Sequence, residues 1–180
     1  MQKIMFNDKY GLTMAVLTGQ KSMTRRAISP KVWEKYKSWL GGMDGSREYL
    51  ISLAPYKVGE VVAIAQPYND IPRLANYPEL QDMSDYAAGY NNKMFVRAED
   101  MQHHIKITDI RVERLKDISD EDCLKEGIKP CNFGKKFTPG DRRAYNTPRE
   151  AFAALIDKVG KKGDWDSNPW VFVYNFKIVD

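Results

Sequence analysis

The chain has 180 residues, of which 43% are hydrophobic and 12% aromatic; this composition excludes wholesale disorder and predicts one folded domain with its own core. The 28 lysines and arginines outnumber the 24 acidic residues, so the net charge of +4 permits an anionic partner without requiring nucleic acid. The apolar run at residues 12–17 is too short to cross a bilayer, and the two cysteines form no disulfide framework, so a soluble cytoplasmic protein without membrane association is expected.

A helix is predicted first, because apolar side chains recur at helical spacing through residues 10–17 and Gly19 suits a left-handed C-terminal cap. An extended segment is predicted to follow it. The junction between them combines cationic and hydroxyl side chains: Lys21, Thr24, Arg25 and Arg26. A lysine beside a hydroxyl can hold an anion or help make the hydroxyl a nucleophile, and arginine forks suit phosphate or carboxylate. An ordinary solvated basic turn is the alternative.

The next elements are a helix starting at Ser29-Pro30 and ending at Gly41-Gly42, and a buried strand at residues 61–65. Residues 66–93 are rich in Pro, Asn, Asp and Tyr, which predicts a long functional or mobile loop. A brief strand at residues 94–98 is predicted to close this loop.

Residues 104–115 form the clearest strand pattern, and its change of phase predicts a β-bulge near Thr108-Asp109. A short helix capped by Ser119 and ended by Gly127 follows. Glu126 then takes the last helical position, where the helix dipole disfavours a carboxylate by about 0.3–1 kcal/mol. A residue that breaks a local rule is a candidate for function.

Residues 130–146 are a second long irregular stretch, predicted to be a basic flap carrying Lys135, Lys136, Arg142 and Arg143. A capping box at Thr147-Pro148-Arg149-Glu150 predicts a helix that ends at Gly160. The final apolar run from Trp170 predicts a central strand of a sheet or barrel.

Several common sites are excluded by spacing. Adjacent His103 and His104 face opposite sides of a strand, and Cys123 and Cys131 lack the close spacing of zinc ligands, so neither metal nor cofactor is predicted. Glycine-rich phosphate loops and Ser-His-Asp signatures are absent. The remaining set is Lys21, Thr24, Arg26 and Glu126. In it, the lysine can act as a base, the threonine as nucleophile, and the glutamate as a group that orients the lysine.

A family resemblance rests on several short motifs taken in order. They are GQKSMTRR at 19–26, VGE at 58–60, VERL with IS at 112–119, KEG at 125–127 and NPWV at 168–171. Together they resemble the ASCH domains of the PUA-like superfamily, and most of all the longer ASCH-like proteins often carried by phages and prophages.

This resemblance implies an α+β fold: a small mixed β-barrel of about five to six strands with flanking helices. The whole chain, 1–180, would be one such domain with loop insertions at about 66–93 and 130–146. Small bacterial ASCH proteins are amidohydrolases that act on N4-acetylcytidine through a Lys, a Thr and a Glu, which match Lys21, Thr24 and Glu126. Longer relatives often carry glutamate where Gln66 stands here.

Three hypotheses follow. The first is a cleft that binds RNA or a modified nucleoside, with Arg25 and Arg26 on phosphate and Tyr68 or Trp170 stacking on a base. The second is an amidohydrolase that deacylates an N4-acylated cytidine with Thr24 as nucleophile. The third is a non-catalytic interaction protein that retains the fold. Because neighbours in an extended segment point to opposite sides, alternation with Thr24 favours Arg26 over Arg25 in the cleft. The oligomeric state stays open.

Overall fold

The computed structural model describes residues 1–40, 46–83, 86–131, 136–140 and 143–179. Seven strands are present in these residues: β1 (Lys3–Ile4), β2 (Met23–Ala27), β3 (Val61–Ile64), β4 (His104–Arg114), β5 (Lys129–Pro130), β6 (Phe137–Thr138) and β7 (Trp170–Ile178). The eight α-helices in the same residues are α1 (Leu12–Leu17), α2 (Pro30–Leu40), α3 (Arg47–Ser52), α4 (Pro72–Ala75), α5 (Ala87–Tyr90), α6 (Asp120–Lys125), α7 (Pro148–Val159) and α8 (Asp164–Ser167).

Five strands form one mixed sheet in the order β1-β3-β4-β7-β2, and β5 pairs with β6 in a separate two-stranded sheet. β1 is parallel to β3, while the other neighbours in the large sheet are antiparallel. The predicted α+β class is therefore confirmed. In the part of the chain that is described, the sheet is open with β1 and β2 at its edges, and it does not close into a barrel.

The core is centred on β7, which lies between β4 and β2. Val171 and Val173 point to one face of the sheet, Phe172 and Tyr174 point to the other, and all four are at most 2% exposed. A strand covered on both faces reads as a continuous apolar run, as this one does. Its predicted central position is confirmed.

Local sequence signals account for several element boundaries. The register between β4 and β7 shifts between Ile107 and Asp109, which confirms the predicted bulge. Thr147 accepts a hydrogen bond from the Glu150 backbone N–H at 3.1 Å, as the capping box of α7 requires. Gly19 and Gly127 have φ angles of +73° and +102°, as expected for left-handed residues after helices.

Other expectations need correction or lie outside the described residues. Residues 94–98 form no strand; Ala98 instead begins a short 3₁₀ turn. The loop at 66–93 contains α4 and α5 and contributes to a second small apolar cluster around Tyr68. The helix stop at Gly41-Gly42 and the flap residues Lys135 and Arg142 fall outside the described residues.

No helix in the described ranges is both long enough and apolar enough to cross a membrane.

The cap of α6 gives a direct test of how the helix that carries Glu126 is held. The Asp122 backbone N–H donates to Ser119 Oγ at 3.1 Å, so Ser119→Ala is expected to lower the free energy of unfolding by about 1 kcal/mol in urea denaturation. Ser119→Thr should retain most of that stability. Ser38 caps nothing and its hydroxyl donates within α2 to the Lys35 carbonyl, so Ser38→Ala should stay within about 0.5 kcal/mol of the wild type. Equal stability of Ser119→Ala and the wild type would contradict this role.

Candidate functional site

A cleft of about 330 Å³ opens between β2, the segment after β1 and the helix α7. This volume is in the range of small-molecule sites in proteins. One wall is polar and comes mainly from the residues around β2, and the opposite wall is the apolar face of α7. The lining residues are Met5, Phe6, Asn7, Leu12, Lys21, Thr24, Arg25, Arg26, Ala27, Glu126, Phe152, Leu155, Ile156 and Val159.

Lys21 and Glu126 form a buried ion pair in this cleft. The Lys21 Nζ donates to Glu126 Oε2 at 2.5 Å and to the Glu126 backbone carbonyl at 2.8 Å, and the two residues are 3% and 4% exposed. Desolvation by burial lowers the pKa of Lys21, although the Glu126 carboxylate opposes this shift. A lysine with a lowered pKa loses its proton more readily, as a general base must.

The backbone on both sides fixes this pair. The Lys21 backbone N–H donates to the Ala15 carbonyl at 2.8 Å, and the Ser22 N–H donates to the Lys125 carbonyl at 3.0 Å. The turn before β2 is thereby joined to the end of α6, where Glu126 is the C-cap. The carboxylate that opposes its own helix dipole is stabilised by cations from another element.

Arg25 occupies the other side of the Glu126 carboxylate. Its guanidinium donates to Glu126 Oε1 at 3.1 Å, to Glu113 Oε1 at 2.6 Å and to Asp122 Oδ2 at 2.9 Å. Burial works to lower the pKa of Arg25, but the three carboxylates outweigh it and raise the pKa. Arg111 contacts Glu113 and Asp122 as well. Lys21, Arg25 and Arg111 therefore face these three carboxylates, and Lys125 Nζ lies 3.9 Å from Asp122 Oδ1 as well.

This network changes the role expected for Arg25. Its side chain is 1% exposed, and its donors are directed at carboxylates of β4 and α6. It borders the cleft but has little capacity left for a phosphate group. Arg25 acts as an internal cation that holds the site together.

Thr24 is 6% exposed and lies opposite Tyr174 in the β2–β7 register. Its hydroxyl makes no hydrogen bond to any described residue. Thr24, Lys21 and Glu126 all line the same cleft, so the structure brings together the three residues named from the sequence.

Arg26 also lines the cleft, the position that alternation with Thr24 favours. Its Nη2 donates to the Met5 carbonyl at 2.6 Å, and its Cζ lies 5.9 Å from the centroid of the Phe6 ring. Lys21 Nζ lies 6.0 Å from the same centroid. The Arg26 side chain thus spans from the edge strand β2 to the segment that follows the opposite edge strand β1.

The two aromatic residues named for base stacking lie elsewhere. Tyr68 is fully buried in the second apolar cluster; its hydroxyl donates to Asp100 at 3.0 Å and accepts from the Arg97 N–H at 2.9 Å. Trp170 is half-buried, and the Arg114 guanidinium lies 4.6 Å from its ring centroid. Neither residue lines the cleft.

Sequence reasoning missed the aromatic residues that do line it, Phe6 and Phe152. Phe152 belongs to the apolar stripe of α7, which the sequence predicts to be core; it is buried in the core, as predicted, and also borders the cleft. Phe6 lies in a short segment without periodicity, so nothing in the sequence marks it.

The free edge of β2 adds backbone groups to the cleft. Residues flanking the strand pair with β7: the Ser22 carbonyl accepts a hydrogen bond at 2.9 Å and the Ile28 N–H donates one at 3.0 Å. Because paired and unpaired positions alternate in an antiparallel ladder, the odd-numbered residues of β2 direct their N–H and C=O groups away from β7. Of these, Arg25 and Ala27 line the cleft and offer hydrogen-bond donors and acceptors to a ligand.

The described residues hold no cluster of metal ligands, and the buried cysteine is unreactive. They contain no group of three or more His, Cys, Asp or Glu side chains that could hold a metal ion. Both cysteines are free, and burial raises the pKa of Cys123 to about 12, so its thiol stays protonated.

The chain matches no protein-family model, and neither a curated protein nor a solved structure matches it. We therefore infer its function from the chemistry of the cleft.

Glu126 provides a test of the electrostatics of this cleft. Since the Glu126 charge raises the pKa of Lys21, Glu126→Gln should lower that pKa further, as seen by an NMR titration of the Lys21 side chain. Unpairing buried cations should also reduce the free energy of unfolding by about 3 kcal/mol.

A matched control lies on the same helix. Glu121 forms an exposed ion pair with Lys125 at 2.6 Å, so Glu121→Gln should change stability by less than about 1 kcal/mol and leave the Lys21 titration in place. If both variants gave the same Lys21 titration as the wild type, the coupling would be disproved.

Proposed function

We propose that this chain is an ASCH-like protein of the PUA-like superfamily whose cleft binds a modified nucleoside and hydrolyses the N4-acyl amide of an acylated cytidine. One observation carries the proposal: the Thr24 hydroxyl has no hydrogen-bond partner among the described residues, and it lines the same cleft as the buried Lys21–Glu126 pair. A nucleophile, a base with a lowered pKa and a carboxylate that orients the base are the parts an amidohydrolase needs.

In the proposed reaction, neutral Lys21 takes the proton of the Thr24 hydroxyl while the oxygen attacks the amide carbonyl carbon. The tetrahedral intermediate collapses as the carbon–nitrogen bond breaks, and the Lys21 ammonium returns the proton to the leaving cytosine amine. Water then attacks the acyl ester on Thr24, releases the carboxylic acid and restores the hydroxyl. Glu126 accepts hydrogen bonds from Lys21 throughout, which keeps its nitrogen in place.

Substrate contacts are available from the rest of the cleft. Free backbone N–H and C=O groups at Arg25 and Ala27 suit the hydrogen-bonding edge of a planar base. Ile156 and Val159 of α7, which are partly or fully exposed, supply apolar surface for the ring. Backbone groups on a strand are held rigidly, so they can discriminate bases without the entropy cost of ordering side chains.

The PUA-like barrel is part of the same proposal. Its support is the hydrogen bond from Arg26 Nη2 to the Met5 carbonyl, which links β2 to the segment after β1 across the gap between the sheet edges. A ligand between these edges would add to that link.

Binding of RNA without catalysis is the second candidate, and Arg26 is the residue that favours it. Among the described residues, one of its N–H groups donates to the Met5 carbonyl, so the other N–H groups are available for a phosphate group. The small cleft and the internal engagement of Arg25 favour a single nucleoside over a polymer. A non-catalytic interaction protein is the third candidate.

The hydrolase proposal is tested by assaying the purified protein on N4-acetylcytidine and following cytidine release by chromatography. Thr24→Ala should lower kcat/KM by at least about 1000-fold because the nucleophile is gone, whereas Thr24→Ser should retain measurable turnover. Thr18 lies at the end of α1, where its hydroxyl donates to the Met14 carbonyl, so Thr18→Ala should behave like the wild type. If the wild type bound cytidine saturably but did not hydrolyse N4-acetylcytidine, the hydrolase proposal would be rejected and the binding function retained.

The pH dependence of this activity follows from Lys21. Burial lowers its pKa below the ordinary 10.5, and only the neutral amine can accept a proton, so kcat/KM should rise with pH along a limb that lies below 10.5. Between the lowered pKa and 10.5 the unfolded chain binds more protons than the folded one, so this group also makes the free energy of unfolding rise with pH in that window. Lys21→Arg should abolish the limb. A limb at or above 10.5 would argue against Lys21 as the base.

A further inference from the structure

A second chamber, of about 210 Å³, lies beside the cleft and shares Arg26 with it. Its walls come from β2, β7, the start of α2 and the segment before β3. None of the residues that carry the proposed hydrolysis lines it, since Lys21, Thr24 and Glu126 all belong to the larger cleft.

Tyr174 provides the first indication of what this chamber binds. The residue is fully buried, and its hydroxyl has no hydrogen-bond partner among the described residues. The backbone N–H of Tyr56 is nearby, but it is a donor and can interact only with the phenol oxygen. The phenol proton is therefore left without an acceptor among the described residues. Burial raises the pKa of Tyr174, which keeps that proton in place as a donor. A buried donor without a partner is costly, and a ligand acceptor would remove the cost.

The start of α2 provides the second indication. This helix has eleven residues, and its first turn contains no acidic side chain to offset the positive end of the helix dipole. Ser29, just before the helix, and Val32, in its first turn, line the chamber. Pro30 has no N–H and the Val32 N–H already donates to the Ser29 carbonyl at 3.0 Å, so the helix dipole and the Lys31 N–H are what this end of α2 offers to an anion.

Arg26 provides the third, because its guanidinium is the cationic group of the chamber wall and keeps most of its donors free. Besides burial, the Glu60 carboxylate also raises the pKa of Tyr56 and of Tyr174. Glu60 does not line the chamber, and its carboxylate accepts hydrogen bonds from Gln2 Nε2 at 2.9 Å and the Lys57 N–H at 2.8 Å.

We propose that this chamber is an anion subsite that takes a phosphate group, held by Arg26, the Tyr174 hydroxyl and the N-terminus of α2. A phosphate group has oxygens in several directions and can accept hydrogen bonds from different walls at once. Since Arg26 borders both cavities, the ligand of the cleft is then a nucleotide and not an uncharged nucleoside. This last step rests on the proposed function, whereas the subsite itself does not.

The subsite is tested by calorimetric titration of the purified protein with inorganic phosphate, with cytidine and with cytidine 5′-monophosphate. The wild type should bind phosphate saturably and bind the nucleotide more tightly than cytidine. Tyr174→Phe should weaken binding of phosphate and of the nucleotide by about tenfold, the size of one hydrogen bond to a charged group, and leave cytidine binding unchanged. Tyr56→Phe is the matched control, because Tyr56 lines the same chamber but its hydroxyl already donates to the Lys3 carbonyl at 3.1 Å.

Stability provides an independent readout. In phosphate-free buffer Tyr174→Phe should unfold at the same or a higher temperature than the wild type, because it loses a buried hydroxyl without a partner. Absence of saturable phosphate binding, equal phosphate affinity of Tyr174→Phe and the wild type, or a clear drop in its unfolding temperature would each overturn the subsite. Failure to bind cytidine or to hydrolyse N4-acetylcytidine would count against the proposed function, and the phosphate titration would still decide the subsite.

Discussion

The buried ion pair between Lys21 and Glu126 is the interaction on which the rest of the site depends. Both charges are almost entirely removed from water, and removing one partner from such a pair costs several kcal/mol because the other stays buried and uncompensated. The pair also links elements that are distant in sequence, the turn before β2 and the end of α6. Arg25 completes the charge balance from β2 itself. Thr24 lies between these two cations in sequence, so the same contacts fix its position.

The open sheet matters as much as the charges. β7 and β4 form a long buried pair that makes the centre rigid, while β2 is paired on one side only. A further strand beside β2 would consume the backbone groups of Arg25 and Ala27, which now line the cleft. At this edge the link to the segment after β1 is a side-chain hydrogen bond, from Arg26 to the Met5 carbonyl, and not a continuous ladder.

Local chemistry explains which features could be predicted from the sequence. The caps of α6 and α7, the left-handed glycines and the bulge in β4 are each determined by a few adjacent residues, and they are where the sequence indicates. The sequence marks Glu126 as a candidate because its carboxylate opposes its own helix dipole. The partners of Arg25 come from β4 and α6, and no local pattern reveals them. Tyr68 lies in a stretch whose polar composition conceals the small second core it helps to form.

The strand register relates the cleft to the second chamber. Thr24 lies opposite Tyr174 and Arg26 lies opposite Phe172, and directly opposed residues of an antiparallel pair point to the same face of the sheet. Thr24, the proposed nucleophile, and Tyr174, whose hydroxyl is proposed to donate a hydrogen bond to phosphate, are therefore neighbours on one face. Their Cβ atoms are separated by roughly 5 Å, as cross-strand pairs generally are. Arg26 follows Thr24 by two residues on the same face. A ligand that occupied both cavities would have its reacting and its anionic groups positioned by one rigid pair of strands, so their spacing is set by backbone register and not by side-chain flexibility.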